Sequence, residues 1–328
     1  MIRLAIDIMG GDQGVSPLVL GAIQALKEIP ELNLTLVGNQ DEILTCVDLQ
    51  HHESRLKVVD APDSVDMDDN PLAALRNKPS ASMPKALDML VDGTVDAVVS
   101  AGNTGALVAF SVQKIGMQED FSRPAICTQM PTATGRTWLL DLGATLSATE
   151  DRLLELARLG ADQCRAYNDI FRPRVGLLNV GVEEGKGTEE LSLAASRMAE
   201  ESAYEYCGYV EGGSIFTKEV DVVVCDGFSG NVAIKTAQGV ARLVADKFSR
   251  RSESKWYIRL SLWVFSPLLK RVAQELNPAI YNGAPLLGLK GLVVKSHGNA
   301  GEQDFANAIL LAARTVERKR DKETQGRS

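Results

Sequence analysis

Aromatic residues are scarce in this chain: Phe, Trp and Tyr make up 5% of its 328 residues. A core of any size must therefore be built from Ala, Val, Leu and Ile. Cysteine is thin and unpaired in pattern. The five cysteines (Cys46, Cys127, Cys164, Cys207 and Cys225) are odd in number and widely spaced, with no CxxC pair and no Cys/His cluster. Neither a disulfide framework nor a metal site is indicated, and a reducing cytoplasm suits such a chain. No apolar run approaches the ~18 residues that would span a bilayer. The opening Met1-Ile2-Arg3-Leu4-Ala5-Ile6-Asp7 reads as a strand and not as a signal peptide. Basic residues are also in deficit, 35 against 43 acidic, for a net charge of −8. That argues against a nucleic-acid binder, which normally carries a basic face on a basic domain. What remains, 45% hydrophobic and 24% charged, is ordinary for a globular protein. The length fits one large α/β unit with an insertion, or two domains.

Short apolar runs ending in Gly or Asp recur along the chain, at residues 4–9, 33–37, 56–61, 97–100, 138–142, 175–180, 220–225 and 292–295. Several do not alternate, which predicts strands covered on both faces. Helical patterns fall between them, at 17–28, 84–91, 105–114, 150–167 and 189–201. Strand–helix alternation of this kind predicts a largely parallel, doubly wound sheet. From Asn231 to Glu275 the strand signal stops; a helix is expected over 233–247 and a closing helix over 305–319. The organisation expected is a single catalytic unit over 1–316, with two subdomains around a cleft as an option. A helical amphipathic arm at 241–276 interrupts it, and a frayed polar tail at 317–328 follows.

Ligands of open α/β sheets bind outside the carboxyl ends of the strands, and five glycine-rich segments follow predicted strands here. They are Asp7-Ile8-Met9-Gly10-Gly11-Asp12, Ser100-Ala101-Gly102-Asn103-Thr104-Gly105, Gly181-Val182-Glu183-Glu184-Gly185-Lys186-Gly187, Asp226-Gly227-Phe228-Ser229-Gly230-Asn231 and Ser296-His297-Gly298. Glycine lets the backbone approach a ligand, and free N–H groups at a helix start favour an anion. The five together are expected to converge on a phosphate or oxyanion site at one sheet edge. Nucleotide motifs fail on spacing: only three residues separate Gly181 from Gly185, and Thr188 comes one place late after Lys186. No G-x-G-x-x-G follows the first strand, and no cofactor is expected.

Lys186 can place an ammonium on a phosphate or polarise a carbonyl oxygen, although a solvated surface lysine is the alternative. His297 is the one histidine in such a loop; it can serve as acid, base or oxyanion donor, or as a structural hydrogen-bonding residue. His51 and His52 lie in a polar stretch and read as surface residues. Cys225 ends an apolar strand and reads as a buried, inert thiol rather than a nucleophile.

From Lys247 to Arg271 the charge reverses, with seven basic residues (Lys247, Arg250, Arg251, Lys255, Arg259, Lys270 and Arg271) against Glu253 alone, a net +6 in 25 residues. Trp256, Trp263 and Phe265 are interleaved with these cations. The combination suits a membrane interface or an acidic protein partner, and equally a helical hairpin packed in a dimer.

The segments just quoted, together with Leu178-Asn179-Val180, Val224-Cys225 and Asn282-Gly283-Ala284-Pro285-Leu286-Leu287-Gly288, resemble the PlsX family of bacterial phosphate acyltransferases in the same order from residue 1 to about 310. Arg76-Asn77-Lys78 with Ser82-Met83 is similar to a basic loop of that family. The resemblance implies transfer of a fatty acyl group from acyl carrier protein to inorganic phosphate, giving acyl phosphate for phospholipid synthesis. It implies a fold similar to isocitrate/isopropylmalate dehydrogenases, a homodimer, peripheral association with the inner face of the membrane, and a downstream glycerol-3-phosphate acyltransferase as partner. Lys186, His297 and Asn231 would then be catalytic. Substrate would meet Asp7, Gly10, Gly11, Asp12, Ser100, Asn103, Thr104, Gly105, Asn179, Gly181, Glu183, Glu184, Asp226, Gly227, Phe228 and Gly298. Arg251, Lys255, Trp256, Arg259, Trp263, Phe265, Lys270 and Arg271 would meet carrier or membrane. The chain departs from the family's Leu-Asp-Leu-Gly-Ala-Asn-x-Asp by ending Ala144-Thr145-Leu146-Ser147, so no role passes to Thr145 or Ser147. A coenzyme A-dependent phosphotransacylase and a non-catalytic acyl-carrier-binding regulator are the rival readings.

Overall fold

A computed structural model describes residues 1–48, 54–251 and 282–325. His51 and His52, and the run that holds Lys255, Trp256, Arg259, Trp263, Phe265, Lys270 and Arg271, lie outside the described residues. Strand β1 (Ile2–Asp7) shows why the apolar runs do not alternate. Leu4 and Ile6 point into one apolar layer while Ala5 points into another on the opposite face, and all three are fully buried. A strand buried on both sides has no polar face to display.

The chain continues through α1 (Val15–Glu28), β2 (Leu32–Gly38), α2 (Gln40–Cys46), β3 (Leu56–Asp60), α3 (Pro71–Asn77), α4 (Ser82–Val91), β4 (Ala97–Ser100) and α5 (Thr104–Lys114). A hairpin of β5 (Ala125–Thr132) and β6 (Gly135–Leu140) leads into α6 (Glu150–Asn168), β7 (Arg174–Leu178), α7 (Glu189–Ala199), β8 (Glu205–Val210) and β9 (Val222–Val224). The remaining elements are α8 (Gly227–Arg251), β10 (Ala284–Leu287), β11 (Leu292–Lys295) and α9 (Glu302–Gln325). Side-chain caps start many of the helices. Asn39, Asn70, Asn103, Thr149 and Thr188 each accept backbone N–H groups at the start of α2, α3, α5, α6 and α7, each worth about 1 kcal/mol.

The strands form one mixed sheet in the order β3-β2-β1-β4-β11-β10-β5-β6-β9-β7-β8. Its outer blocks, β3-β2-β1-β4-β11 and β6-β9-β7-β8, are parallel within themselves. Between them the β11–β10, β10–β5 and β5–β6 pairings are antiparallel. Three reversals make the two blocks run in opposite senses, so their carboxyl ends do not form a single row. The expectation of five loops on one edge is corrected accordingly: the loops fall into separate groups.

Strands β5, β8 and β10 went unread in the sequence for physical reasons. β5 carries buried Thr128 and Gln129 and ends near Pro131, while β10 contains Pro285, which normally argues against a strand. β8 holds Gly208 in a positive-φ conformation beside a register shift against β7. The expected frayed tail from 317 is instead the last turns of α9 up to Gln325. Arg320 pairs with Asp96 at 2.8 Å, Lys322 with Asp169 at 2.7 Å, and Arg318 sits 4.1 Å from the Tyr167 ring centre.

Candidate functional site

The loops after β1, β4 and β11 are bound into one cluster. Asp7, at the end of β1, is buried and accepts hydroxyl hydrogens from Ser82 and Ser100, both at 2.6 Å. Burial holds its carboxyl above the ordinary range, against the lowering effect of those two hydroxyls and of Lys295. Ser296 N–H donates to the Ser100 carbonyl at 2.8 Å, and Asp12 N–H to the Gly298 carbonyl at 2.7 Å. Gly10 packs against Gly102 so closely that a Cβ on Gly10 would overlap the Gly102 backbone. Two facing glycines are therefore what allows these loops to meet.

Lys295 closes β11 inside this cluster. It is buried, and its ammonium donates to the Ala101 carbonyl at 3.2 Å and to the Ser296 carbonyl. Burial, with Lys235 nearby, pushes it down to about 8 from 10.5, while Asp12 and Asp7 pull the other way. At neutral pH it is mostly charged. Two residues on, His297 donates its backbone N–H to the buried Asn282 side chain at 3.1 Å, and the Asn282 amide donates to Ser296 Oγ at 2.8 Å. The Gln238 amide of α8 lies 2.9 Å from His297 Nε2, so that nitrogen accepts and the ring is neutral. Burial and then the cations Lys235, Lys295 and Arg242 push His297 down to about 4. Lys235, Gln238 and Arg242 are spaced i, i+3 and i+7, which places them along one side of α8. Cations from α8 and from β11 thus act on a neutral imidazole, an arrangement that attracts an anion without requiring a proton from histidine.

Two helix N-termini flank the strand ends, and they differ. At α8 the first N–H groups are already used: Gly227 donates to the Thr145 carbonyl at 2.8 Å, Phe228 to that of Leu146 at 3.2 Å, and Ser229 to the Asp226 carboxylate at 2.7 Å. The departing segment 142–147 is what closes this end, and Asp141 holds it by accepting from Gly143, Ala144 and Thr145. At α5 the Asn103 side-chain Oδ1 caps Ala106 N–H at 3.0 Å. Its amide donates to the Asp66, Met67 and Asp69 carbonyls at 2.8–3.3 Å. The Asn103 side chain is committed to structure, while the Thr104 and Gly105 N–H groups have no hydrogen-bond partner among the described residues. This open helix start lies three residues beyond Ala101, which Lys295 touches.

The loop after β7 and the start of α8 stand apart from this cluster. Lys186 is exposed and pairs with Glu183 at 2.8 Å inside its own loop. Asn179 shapes that loop by donating to the Lys186 carbonyl at 2.8 Å, Gly181 lies against the Lys186 and Glu183 side chains, and Glu184 is exposed. Among the described residues this loop's side-chain hydrogen bonds stay within it. Asn231, one turn into α8, and Phe228 are exposed, and Arg251 closes that helix. Gly11 packs on Leu18, and Gly298 on Asp12 and Met67. Lys78 pairs with Asp66 and Asp69 and steadies the segment that Asn103 holds. Cys225 is buried; burial, then Asp141 and Asp226, push its thiol up, so it is inert as expected.

Lys295, Lys235, Arg242 and Gln238 were not singled out in the sequence, and Asn282 stood there within a motif but without a role. A signal for Lys295 was present: a cation ending the otherwise apolar Leu292-Val293-Val294-Lys295. The α8 cations were legible only as helix surface.

A family model described as fatty acid synthesis protein matches residues 2–322. The chain is 43% identical over 316 residues to a phosphate acyltransferase of Cellvibrio japonicus, covering 96% of this chain and 95% of that one. It is 44% identical over 317 residues to a phosphate acyltransferase of Stutzerimonas stutzeri, covering 96% and 88%. Among solved structures, the fold is similar to a branched-chain phosphotransacylase from Enterococcus faecalis, with TM-score 0.63, 14% identity, and 96% and 99% of the two chains covered. It is similar also to the EutD phosphotransacetylase from Staphylococcus aureus, with TM-score 0.60, 15% identity, and 96% and 94% covered.

Proposed function

The chain belongs to the fatty acid synthesis protein family, and from that premise we propose that it is a phosphate acyltransferase carrying a fatty acyl group from acyl carrier protein to inorganic phosphate. Its relatives above 40% identity over nearly the whole chain are named for acyl transfer to phosphate. The observation that carries the site assignment is the packing of buried Lys295, and of the side of α8 that bears Gln238 with Lys235 and Arg242, about His297 beside the open N-terminus of α5.

In this reading a phosphate oxygen attacks the thioester carbonyl carbon. The C–S bond breaks, and the carrier thiolate leaves with the bonding pair and takes up a proton. Phosphate is its own nucleophile, so the protein supplies position and charge. Lys295 and the Thr104 and Gly105 N–H groups hold the anion, Lys235 and Arg242 draw it in, and neutral His297 offers its Nδ1–H. The sequence-based oxyanion role of Lys186, with Asn231 assisting, stays part of this proposal and requires Lys186 to leave Glu183 and cross from the opposite block of the sheet.

The basic, aromatic run from Lys247 to Arg271 supports acyl carrier protein and an anionic bilayer as partners. The family resemblance adds a cytoplasmic enzyme at the inner membrane face that hands acyl phosphate to a glycerol-3-phosphate acyltransferase. No described helix is long and apolar enough to cross a membrane. The antiparallel centre between two parallel blocks supports the isocitrate/isopropylmalate dehydrogenase-like assignment, and the homodimer rests on the family resemblance. The test is release of free carrier thiol from acyl carrier protein with and without phosphate. Release that requires phosphate is expected. Phosphate-independent release, or release from acyl coenzyme A alone, contradicts the proposal.

A further inference from the structure

At the other end of β4 and β11, where these strands begin, a cavity of about 410 Å³ opens to solvent. It lies one strand length from the Lys295 cluster, ~13 Å for four residues. Its walls include Leu90, Ile115, Leu292 and Val316, and its polar groups include Lys290 and Lys319. The one carboxylate in the lining, Asp96, is already matched twice, by Arg3 at 2.9 Å and by Arg320 at 2.8 Å. No carboxylate pairs with Lys290 or Lys319 among the described residues. The cavity therefore sets unmatched positive charge at Lys290 and Lys319 beside an apolar wall, and its volume is in the range of small-molecule sites.

We propose that this cavity binds a single-chain amphiphile with an acidic headgroup, the chain lying on Leu90, Ile115, Leu292 and Val316 and the headgroup between Lys290 and Lys319. The shared chemistry is one anionic head on a hydrocarbon tail; a fatty carboxylate and an alkyl phosphate both present it. An apolar molecule lacking the head leaves the two ammonium groups unmatched. A small inorganic anion leaves the apolar wall wet.

Decyl phosphate, decanoate and decan-1-ol, each below its aggregation limit, are titrated against the full chain. Hydrogen exchange is followed in peptides spanning residues 88–96, 289–293 and 315–321. The expected result is protection by an acidic probe at least about tenfold stronger than by decan-1-ol, and weakened about tenfold in the exposed-site double variant Lys290→Glu, Lys319→Glu. The tighter of the two acids identifies the headgroup. Acyl transfer by the double variant stays at its ordinary rate, which separates this site from the Lys295 cluster. No protection by either acid, equal protection by the alcohol, or protection indifferent to the charge reversal overturns the proposal.

Discussion

Replacing Lys295 by Met isolates the energetic signature of a buried cation. Burial pushes this ammonium from 10.5 to about 8. At about 1.4 kcal/mol per unit, the charged form is disfavoured in the folded chain by roughly 3 kcal/mol. Above about pH 8 the folded chain releases this proton, whereas the unfolded chain keeps it until about 10.5. In that window the unfolded state binds more protons, so this group makes stability rise with pH. Below it both states are protonated and the penalty is constant. Urea unfolding of the unaltered chain and of Lys295→Met, in half-unit steps from pH 7 to pH 10.5, separates this group from every other titration the two share. The stability of the unaltered chain minus that of the variant should climb by roughly 3 kcal/mol across the window. A difference that stays flat would refute a buried, charged Lys295.

Two further outcomes follow from packing. Gly10→Ala drives a Cβ into the Gly102 backbone. An overpacking cost of about 1–3 kcal/mol lowers Tm by about 2–5 °C in a chain of this length, and turnover falls further because the β1 and β4 loops are forced apart. Unchanged turnover with a lowered Tm would detach that cluster from catalysis. Cys225→Ala costs about 1 kcal/mol in stability and leaves acyl transfer within about twofold, because phosphate needs no protein nucleophile. Loss of activity in a folded Cys225→Ala protein, with an acyl group trapped on the unaltered chain, would show a covalent route instead.

The two-faced strands were legible because Leu4, Ala5 and Ile6 have no polar side to show, and the glycine loops because Gly10 must face Gly102. The antiparallel centre was not: Thr128, Gln129 and Pro285 break the apolar signal, yet these strands reverse the sheet and separate the loops into groups. Asn103 and Asp7 were found for their positions, but a sequence does not show that the Asn103 side chain is taken up by the Asp66–Asp69 carbonyls, or that Asp7 is enclosed by two serine hydroxyls. Lys295 was hidden because a lysine at a strand end reads as solvated, and only tertiary packing encloses it. Lys235 and Arg242 gained meaning once α8 was seen to run past His297.

The proposed mechanism requires inorganic phosphate to sit beside Lys295. Selective ¹³Cε labelling of lysine, with the Lys295 signal identified by its absence in Lys295→Met, gives its titration curve directly. Adding saturating phosphate should move the midpoint from about 8 up by at least about one unit, since an adjacent anion favours the charged ammonium. A midpoint that phosphate leaves in place would contradict the account.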